Sequence, residues 1–209
     1  MSLPRILLFS LVASGASAAP IVFQFTATVT QVDAQLTSAF TPGQTLTGSY
    51  RFESTTMDSA ADPATGLYFG TGTLFTVLAG GSAFTASSVD IDITNTAPVD
   101  IYRVVGSGVS GPSLGGLPVS SLVLALTDNS APVNALSTDA LPLSPPSLAN
   151  FNVRLLTLVF SQGANAASVV AEVNMLTTAV TEPALAAPLL LLLIGLDFSR
   201  RSHGRASRR

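Results

Sequence analysis

Cysteine, lysine and tryptophan are absent from this chain of 209 residues, and histidine occurs once, at His203. Without cysteine the protein forms no disulfide bond and has no thiolate to act as a nucleophile, a metal ligand or a lipid-attachment point. A serine–histidine–aspartate triad and a histidine-ligated zinc ion both need a histidine within the folded body, and His203 lies among the last residues of the chain. These absences predict a protein that is not an enzyme.

One catalytic arrangement is still compatible with this composition, a pair of carboxylates that hydrolyses a glycosidic bond. Glu53 and Glu172 are the only glutamates between residues 19 and 180. Both stand at polar positions of segments in which apolar and polar residues alternate, where a solvated surface acid is the ordinary interpretation. We therefore predict no catalytic residue.

Charged residues make up 10% of the chain and are unevenly distributed. Residues 19–180 contain three arginines and ten acidic residues, which gives this part a net charge of −7. A body this acidic is not expected to bind nucleic acid, whose phosphates require a basic surface. Its charge is compatible with binding to cations or to neutral extracellular polysaccharide. The small number of tyrosines counts against stacking on sugar rings, since there are three: Tyr50, Tyr68 and Tyr102.

A period of two runs through the middle of the chain, where no segment shows the period of 3.6 that is typical of a helix. In residues 21–30, for example, Phe23 and Phe25 alternate with polar side chains. About eight to ten short strands separated by turn residues predict an all-β fold, specifically an antiparallel two-sheet sandwich of the jelly-roll or immunoglobulin-like kind. A closed barrel of the outer-membrane kind would need a regular aromatic girdle, so the sandwich is preferred. Residues 106–118 and 128–150 are predicted to be loops.

The N-terminal residues match a secretory signal peptide. Arg5 is the only charge before an apolar run at residues 6–13, and an Ala-Ser-Ala tripeptide at residues 16–18 provides a cleavage site. We predict a signal peptide over residues 1–18 and an exported β-sandwich over residues 19–180, which is about the length of one domain.

The C-terminal residues 181–209 consist of three parts. A Glu-Pro dipeptide comes first, an apolar run over residues 184–196 follows, and a basic cluster closes the chain, made of Arg200, Arg201, Arg205, Arg208 and Arg209. As a helix the apolar run would span about 20 Å. Residues 178–198 would span about 31 Å, enough for the roughly 30 Å hydrocarbon core of a bilayer. We predict a transmembrane anchor helix whose arginines act as a positive stop on the cytoplasmic side.

This order of a Glu-Pro motif, a leucine-rich run and an arginine-rich end resembles the PEP-CTERM sorting signal of Gram-negative bacteria. Thr181, Glu182 and Pro183 match its Pro-Glu-Pro motif with threonine in place of the first proline, and Asp197 near the end of the apolar run is a second departure. Residues 48–54 are similar to segments in the exported bodies of such proteins. The resemblance implies that an exosortase, a membrane-embedded cysteine protease, processes the chain at or near this motif.

The resemblance also implies a localisation and a function. The precursor would be exported and tethered to the inner membrane by its C-terminal segment, and the processed body would then reside at the cell surface or in the extracellular matrix. On this interpretation the protein is a non-catalytic surface or matrix protein. Its partners are an exosortase-type protease and the membrane, with extracellular polysaccharide as a further candidate. The alternative is a binding module or adhesin that recognises carbohydrate or depends on calcium.

These interpretations require no cofactor, but calcium is a candidate because it needs only oxygen ligands. Asp58 and Asp62 share one polar loop, while Asp90 and Asp92 project from the same face of one strand, about 7 Å apart. The second pair is also explained by an outward polar face that protects a strand edge from pairing. Both interpretations remain open from the sequence.

Overall fold

A computed structural model of the chain describes residues 20–179, which form nine β-strands and two short 3₁₀ turns. The strands are β1 (Ile21–Val32), β2 (Thr45–Phe52), β3 (Thr65–Gly72), β4 (Leu74–Ala79), β5 (Ser82–Thr96), β6 (Val99–Ser110), β7 (Val119–Asp128), β8 (Val153–Gln162) and β9 (Asn165–Thr178). The 3₁₀ turns lie at Ala34–Leu36 and Leu148–Asn150. The prediction of an all-β body is confirmed.

These strands form a single antiparallel sheet that closes into an eight-stranded barrel. The order around the barrel is β1, β2, β4, β5, β6, β7, β8 and β9, and β9 pairs with β1 to complete the ring. β3 and β4 share one edge of β5, with β3 opposite residues 89–94 and β4 opposite residues 82–86, so nine strands fill eight positions. The prediction of a two-sheet sandwich, whether jelly-roll or immunoglobulin-like, is therefore wrong.

Alternation alone does not separate a sandwich from a barrel, because both bury one face of every strand and expose the other. The deciding contact is the pairing of the first strand with the last, which runs from Phe23↔Thr178 to Val32↔Val169. Two bulges, after Thr26 and after Val29, interrupt this ladder. Bulges bend a strand and increase its twist, which helps a sheet to curl until its edges meet.

Apolar side chains fill the interior of the barrel. β1 buries every second residue from Phe23 to Val29, as its alternation predicts. Aromatic rings pack edge to face inside the barrel, with 5.6 Å between the ring centroids of Phe23 and Tyr50 and the same separation between Phe84 and Phe160. A barrel of eight strands is narrow enough for side chains to fill it, so the interior is a packed core.

One end of the barrel carries both ends of the described chain. β1 starts and β9 finishes at this end, because Phe23 pairs with Thr178 near the start of one strand and the end of the other. The long connection after β7 lies at the same end, since alternate strands of an antiparallel barrel run in opposite directions. We call residues 129–152 the end loop.

No helix within residues 20–179 is long and apolar enough to cross a membrane. The predicted signal peptide, residues 1–18, lies outside the described residues. The predicted anchor helix and sorting motif, in residues 181–209, also lie outside them.

Candidate functional site

The four aspartates predicted as calcium ligands take separate structural roles. Asp58 Oδ1 accepts hydrogen bonds from the backbone N–H groups of Ala60 and Leu67, both at 2.8 Å. Since Leu67 lies in β3, Asp58 covers part of the edge of β3 that faces away from β5. Asp62 Oδ1 accepts a hydrogen bond from the N–H of Ala64 at 3.0 Å, which stabilises a turn.

Asp90 and Asp92 do lie on the outer face of β5, but they contact different partners. Asp90 Oδ1 accepts a hydrogen bond from the N–H of Gly70 at 2.6 Å, and Asp92 pairs with Arg103, which stands directly opposite on β6. Protection of a free edge is the wrong explanation for this pair, because β5 is paired on both sides. Residues 20–179 contain no group of three acidic, histidine or cysteine side chains placed to hold a metal ion. Calcium binding is not tested by this observation and stays a prediction.

Each of the three arginines in residues 20–179 forms an ion pair. Arg51 lies 3.8 Å from Glu53, and Arg154 lies 2.5 Å from Glu172. The two glutamates therefore face separate arginines rather than each other. They do not form the facing carboxylates that glycoside hydrolysis uses.

Two buried carboxylates that the sequence did not single out hold the end loop on the barrel. Asp100 on β6 and Asp128 on β7 stand directly opposite each other, and each is 1% exposed. Asp100 Oδ2 accepts a hydrogen bond from the N–H of Leu136 at 2.9 Å. Asp128 accepts hydrogen bonds from the N–H of Ser130 at 3.0 Å and from the N–H of Asn134 at 3.2 Å. An aspartate at the end of a strand, followed by Asn-Ser, is the one sequence signal that could have indicated this role.

The end loop is also attached to β3, through the backbone of Asp139. The hydroxyl of Tyr68 donates a hydrogen bond to the backbone carbonyl of Asp139 at 2.9 Å. Gly66 makes room for this contact, because a Cβ at that position would lie 2.3 Å from the same carbonyl oxygen. A cavity of about 300 Å³ lies between the loop and the side chain of Tyr102. Tyr102 itself is fully buried, so the loop closes this end of the core.

We expect acid to loosen the end loop. Hydrogen bonds from Ser130 and Asn134 hold the pKa of Asp128 below its usual range. A carboxyl whose pKa is lower in the folded protein stabilises the fold above its unfolded pKa, and this stabilisation is lost as the pH falls through the folded value. Backbone amides of residues 130–136 should therefore exchange with deuterium faster, relative to the core, below about pH 4.

The same amides should exchange faster at neutral pH in Asp128→Asn, because the N–H₂ group that replaces one carboxylate oxygen cannot accept the hydrogen bonds which that oxygen accepts. Asp139→Asn is the matched control, since the only hydrogen bond to that carboxylate within residues 20–179 comes from the neighbouring Thr138 hydroxyl, at 3.4 Å. Equal exchange of the end loop in the two variants would show that Asp128 does not hold it.

An open groove of about 350 Å³ lies on the outer face of β1, β2, β4 and β9, and we call it the outer groove. Its polar side chains stand in two rows across the strands. Ser49 is paired with Gln24 on one side and with Thr76 on the other, and Thr47 in the next row is paired with Thr26. The strands lie about 4.8 Å apart, so these groups form a regular array.

Apolar groups complete the outer groove. Leu78 and Met175 stand at opposite ends of the row that contains Thr47, and they are 49% and 43% exposed. The floor of the groove is made by Phe25 and Gly48, which are paired across β1 and β2. A Cβ on Gly48 would lie 2.4 Å from the ring of Phe25, so a glycine is needed for the ring to pack there. The sequence identified these positions as strand residues, but only their register brings them together.

No protein-family model, curated protein or solved structure matches this chain. Its function is therefore inferred from its own residues and their placement. Of the predicted functional residues, Asp58, Asp62, Asp90 and Asp92 are described, and they form no common site. The sorting motif Thr181–Pro183 and the terminal arginines lie outside the described residues.

Proposed function

We propose that this chain is an exported, non-catalytic protein of the cell surface or extracellular matrix of a Gram-negative bacterium. Its C-terminal tail would hold the precursor at the inner membrane until an exosortase-type protease processes it at or near Thr181, Glu182 and Pro183. The observation that carries the proposal is the position of the folded body between the two predicted signals. β1 begins at Ile21, three residues after the predicted cleavage site, and β9 ends at Thr178, three residues before the motif.

The chemistry of the body supports a role that is not catalytic. Residues 20–179 contain neither histidine nor cysteine. The arginines are held in ion pairs, and the buried carboxylates Asp100 and Asp128 bond to backbone N–H groups of the end loop. A general base needs a free proton-accepting group beside a substrate, and these side chains are already engaged in stabilising the barrel.

The position of the chain ends also suits processing at both termini. The first and last strands are neighbours in the barrel, and both ends of the described chain leave from the same end. Cleavage before Ile21 or after Thr178 would break no strand pairing within residues 20–179. A body processed in this way would keep its complete barrel.

The proposal is tested by expressing the full chain in a Gram-negative host that has an exosortase and in the same host without it. We expect the intact mass of the recovered protein to show loss of residues 1–18 in both hosts, and loss of the C-terminal tail in the first host only. Glu182→Ala combined with Pro183→Ala should reduce the processed fraction by about tenfold or more, because the protease would lose its recognition motif. The processed fraction is measured from the relative intensities of the mass peaks of the processed and unprocessed protein.

Glu53→Ala is the matched control, since it removes a glutamate from the body and leaves the tail unchanged. It should be processed like the wild type. The proposal fails if the full-length chain accumulates in the cytoplasm with both termini intact, or if the motif variant is processed as efficiently as the control.

A further inference from the structure

The polar side chains of the outer groove have unused hydrogen-bonding capacity. Within residues 20–179, the side chains of Gln24, Thr26, Thr47 and Ser49 form no hydrogen bond with another protein group. Their neighbours differ, since the next two threonines of β1 both bond to β9. Thr76 makes one long contact, 3.4 Å to the hydroxyl of Thr85. Five adjacent side chains are therefore available to a ligand that both donates and accepts hydrogen bonds.

The array favours a ligand with a repeating pattern of hydroxyl groups. Neighbouring groups within a row are about 4.8 Å apart, and the two rows are separated by two residues of strand rise, about 7 Å. The exposed side chains of Leu78 and Met175 provide apolar contacts for C–H faces at both ends of the second row. Sugar rings present hydroxyl edges and C–H faces together. Tyrosine stacking does not contribute, because Tyr50, Tyr68 and Tyr102 are at most 5% exposed.

The charges in and around the outer groove favour a neutral polymer over an ionic one. No residue that lines the outer groove is charged. The nearest charges in register are those of Arg51, two residues after Ser49, and of Glu172, which stands opposite Thr28, two residues after Thr26. Each is held in an ion pair, Arg51 with Glu53 and Glu172 with Arg154. The body as a whole has a net charge of −7 over residues 19–180, so it repels anionic polysaccharide and nucleic acid at long range.

We infer that the outer groove binds a neutral polysaccharide, with the sugar chain lying across β1, β2 and β4. The side chains of Gln24, Thr26, Thr47, Ser49 and Thr76 bond to its hydroxyl groups, and Leu78 and Met175 pack against its rings. This site adds a partner to the proposed surface role. Binding of purified protein does not depend on processing of the tail, so the two proposals can fail separately.

Affinity electrophoresis of the exported protein tests the inference, with dextran, a mixed-linkage β-glucan or a galactomannan cast into native gels. We expect at least one of these neutral polysaccharides to retard the wild type, and alginate, which is anionic, to have no effect. Thr47→Val removes one hydroxyl and preserves the shape and strand propensity of the residue, so it should weaken retardation less than Thr47→Arg does. Thr47→Arg fills the groove and should weaken retardation by about tenfold, as expected for the loss of two or more modest hydrogen bonds.

Thr157→Arg is the matched control, because Thr157 lies on the outer face of β8, away from the groove. It should be retarded like the wild type, and its melting temperature shows whether an arginine on the outer face harms the fold. The inference is overturned if none of the three neutral polysaccharides retards the wild type, or if Thr47→Arg and Thr47→Val are both retarded normally. It is also overturned if gel filtration shows a dimer that Thr47→Arg dissociates, which would make the groove an interface between copies.

Discussion

Replacing Gly72 with alanine is expected to destabilise the barrel by about 3 kcal/mol, at the upper end of the range for overpacking. Gly72 ends β3, at the point where β4 takes over its position beside β5. A Cβ at this position would lie 1.8 Å from the carbonyl oxygen of Arg51 and 2.9 Å from its carbonyl carbon. Both atoms belong to the backbone of β2, so no change of side-chain rotamer relieves the overlap. Urea denaturation followed by circular dichroism measures the loss.

Gly70→Ala is the matched control for this substitution. Gly70 lies two residues earlier in the same strand, and no atom lies within 4 Å of a Cβ added there. Its φ of +59° disfavours alanine, so we expect a smaller cost of about 1–2 kcal/mol from backbone strain alone. If Gly72→Ala costs no more than Gly70→Ala, β3 does not approach β2 as closely as the structure indicates.

Removing one hydroxyl from the pair formed by Tyr50 and Tyr102 is the second large expected effect. The two hydroxyl oxygens are 3.0 Å apart, and both side chains are fully buried. Tyr50→Phe or Tyr102→Phe leaves the remaining hydroxyl without a partner, at a cost of about 1–3 kcal/mol. The double variant replaces both hydroxyls with apolar groups and should cost less than the sum of the single variants. Additive single effects would show that the hydroxyls do not bond to each other.

The same pair predicts alkaline unfolding. Burial raises the pKa of both phenols, and the neighbouring hydroxyl raises that of Tyr50 further. A pKa that is higher in the folded protein gives stability that is present below the unfolded value of about 10 and is lost as the pH rises above it. We expect tyrosinate absorbance to appear together with loss of β-sheet circular dichroism.

The double phenylalanine variant should unfold at a higher pH than the wild type. Some alkaline sensitivity should remain, because burial and the carboxylates of Asp58 and Asp139 also raise the pKa of Tyr68. Ionisation of Tyr50 and Tyr102 at an ordinary pH, with the barrel still folded, would contradict this explanation.

Much of the strand content could be predicted from local pattern, and the exceptions have physical causes. The alternation of β1 placed Phe23 and Phe25 in the core, where both are at most 1% exposed. The predicted loop over residues 106–118 is wrong at its start, because β6 continues to Ser110. Glycine and serine suggested a flexible segment there, but pairing with β5 as far as Thr85↔Ser110 holds it extended.

The roles of the acidic residues were the least predictable part. The prediction that Asp90 and Asp92 share one outer face is confirmed, but the calcium hypothesis does not account for their contacts with Gly70 and Arg103. The sequence predicts no role for Asp100 and Asp128 beyond their charge, although they fix the end loop. A carboxylate accepts hydrogen bonds from whichever donors the fold brings near, and these donors often lie far away in sequence.

The sequence by itself determined which residues face the core, the absence of histidine and cysteine chemistry in residues 20–179, and the acidic charge of the body. Tertiary structure alone decided that the sheet closes, since the pairing of β1 with β9 joins residues more than a hundred positions apart. It also decided the outer groove, which exists because register aligns Gln24, Ser49 and Thr76 across three strands. A period of two specifies the face of a strand on which a side chain lies, but it carries no information about which strand becomes its neighbour.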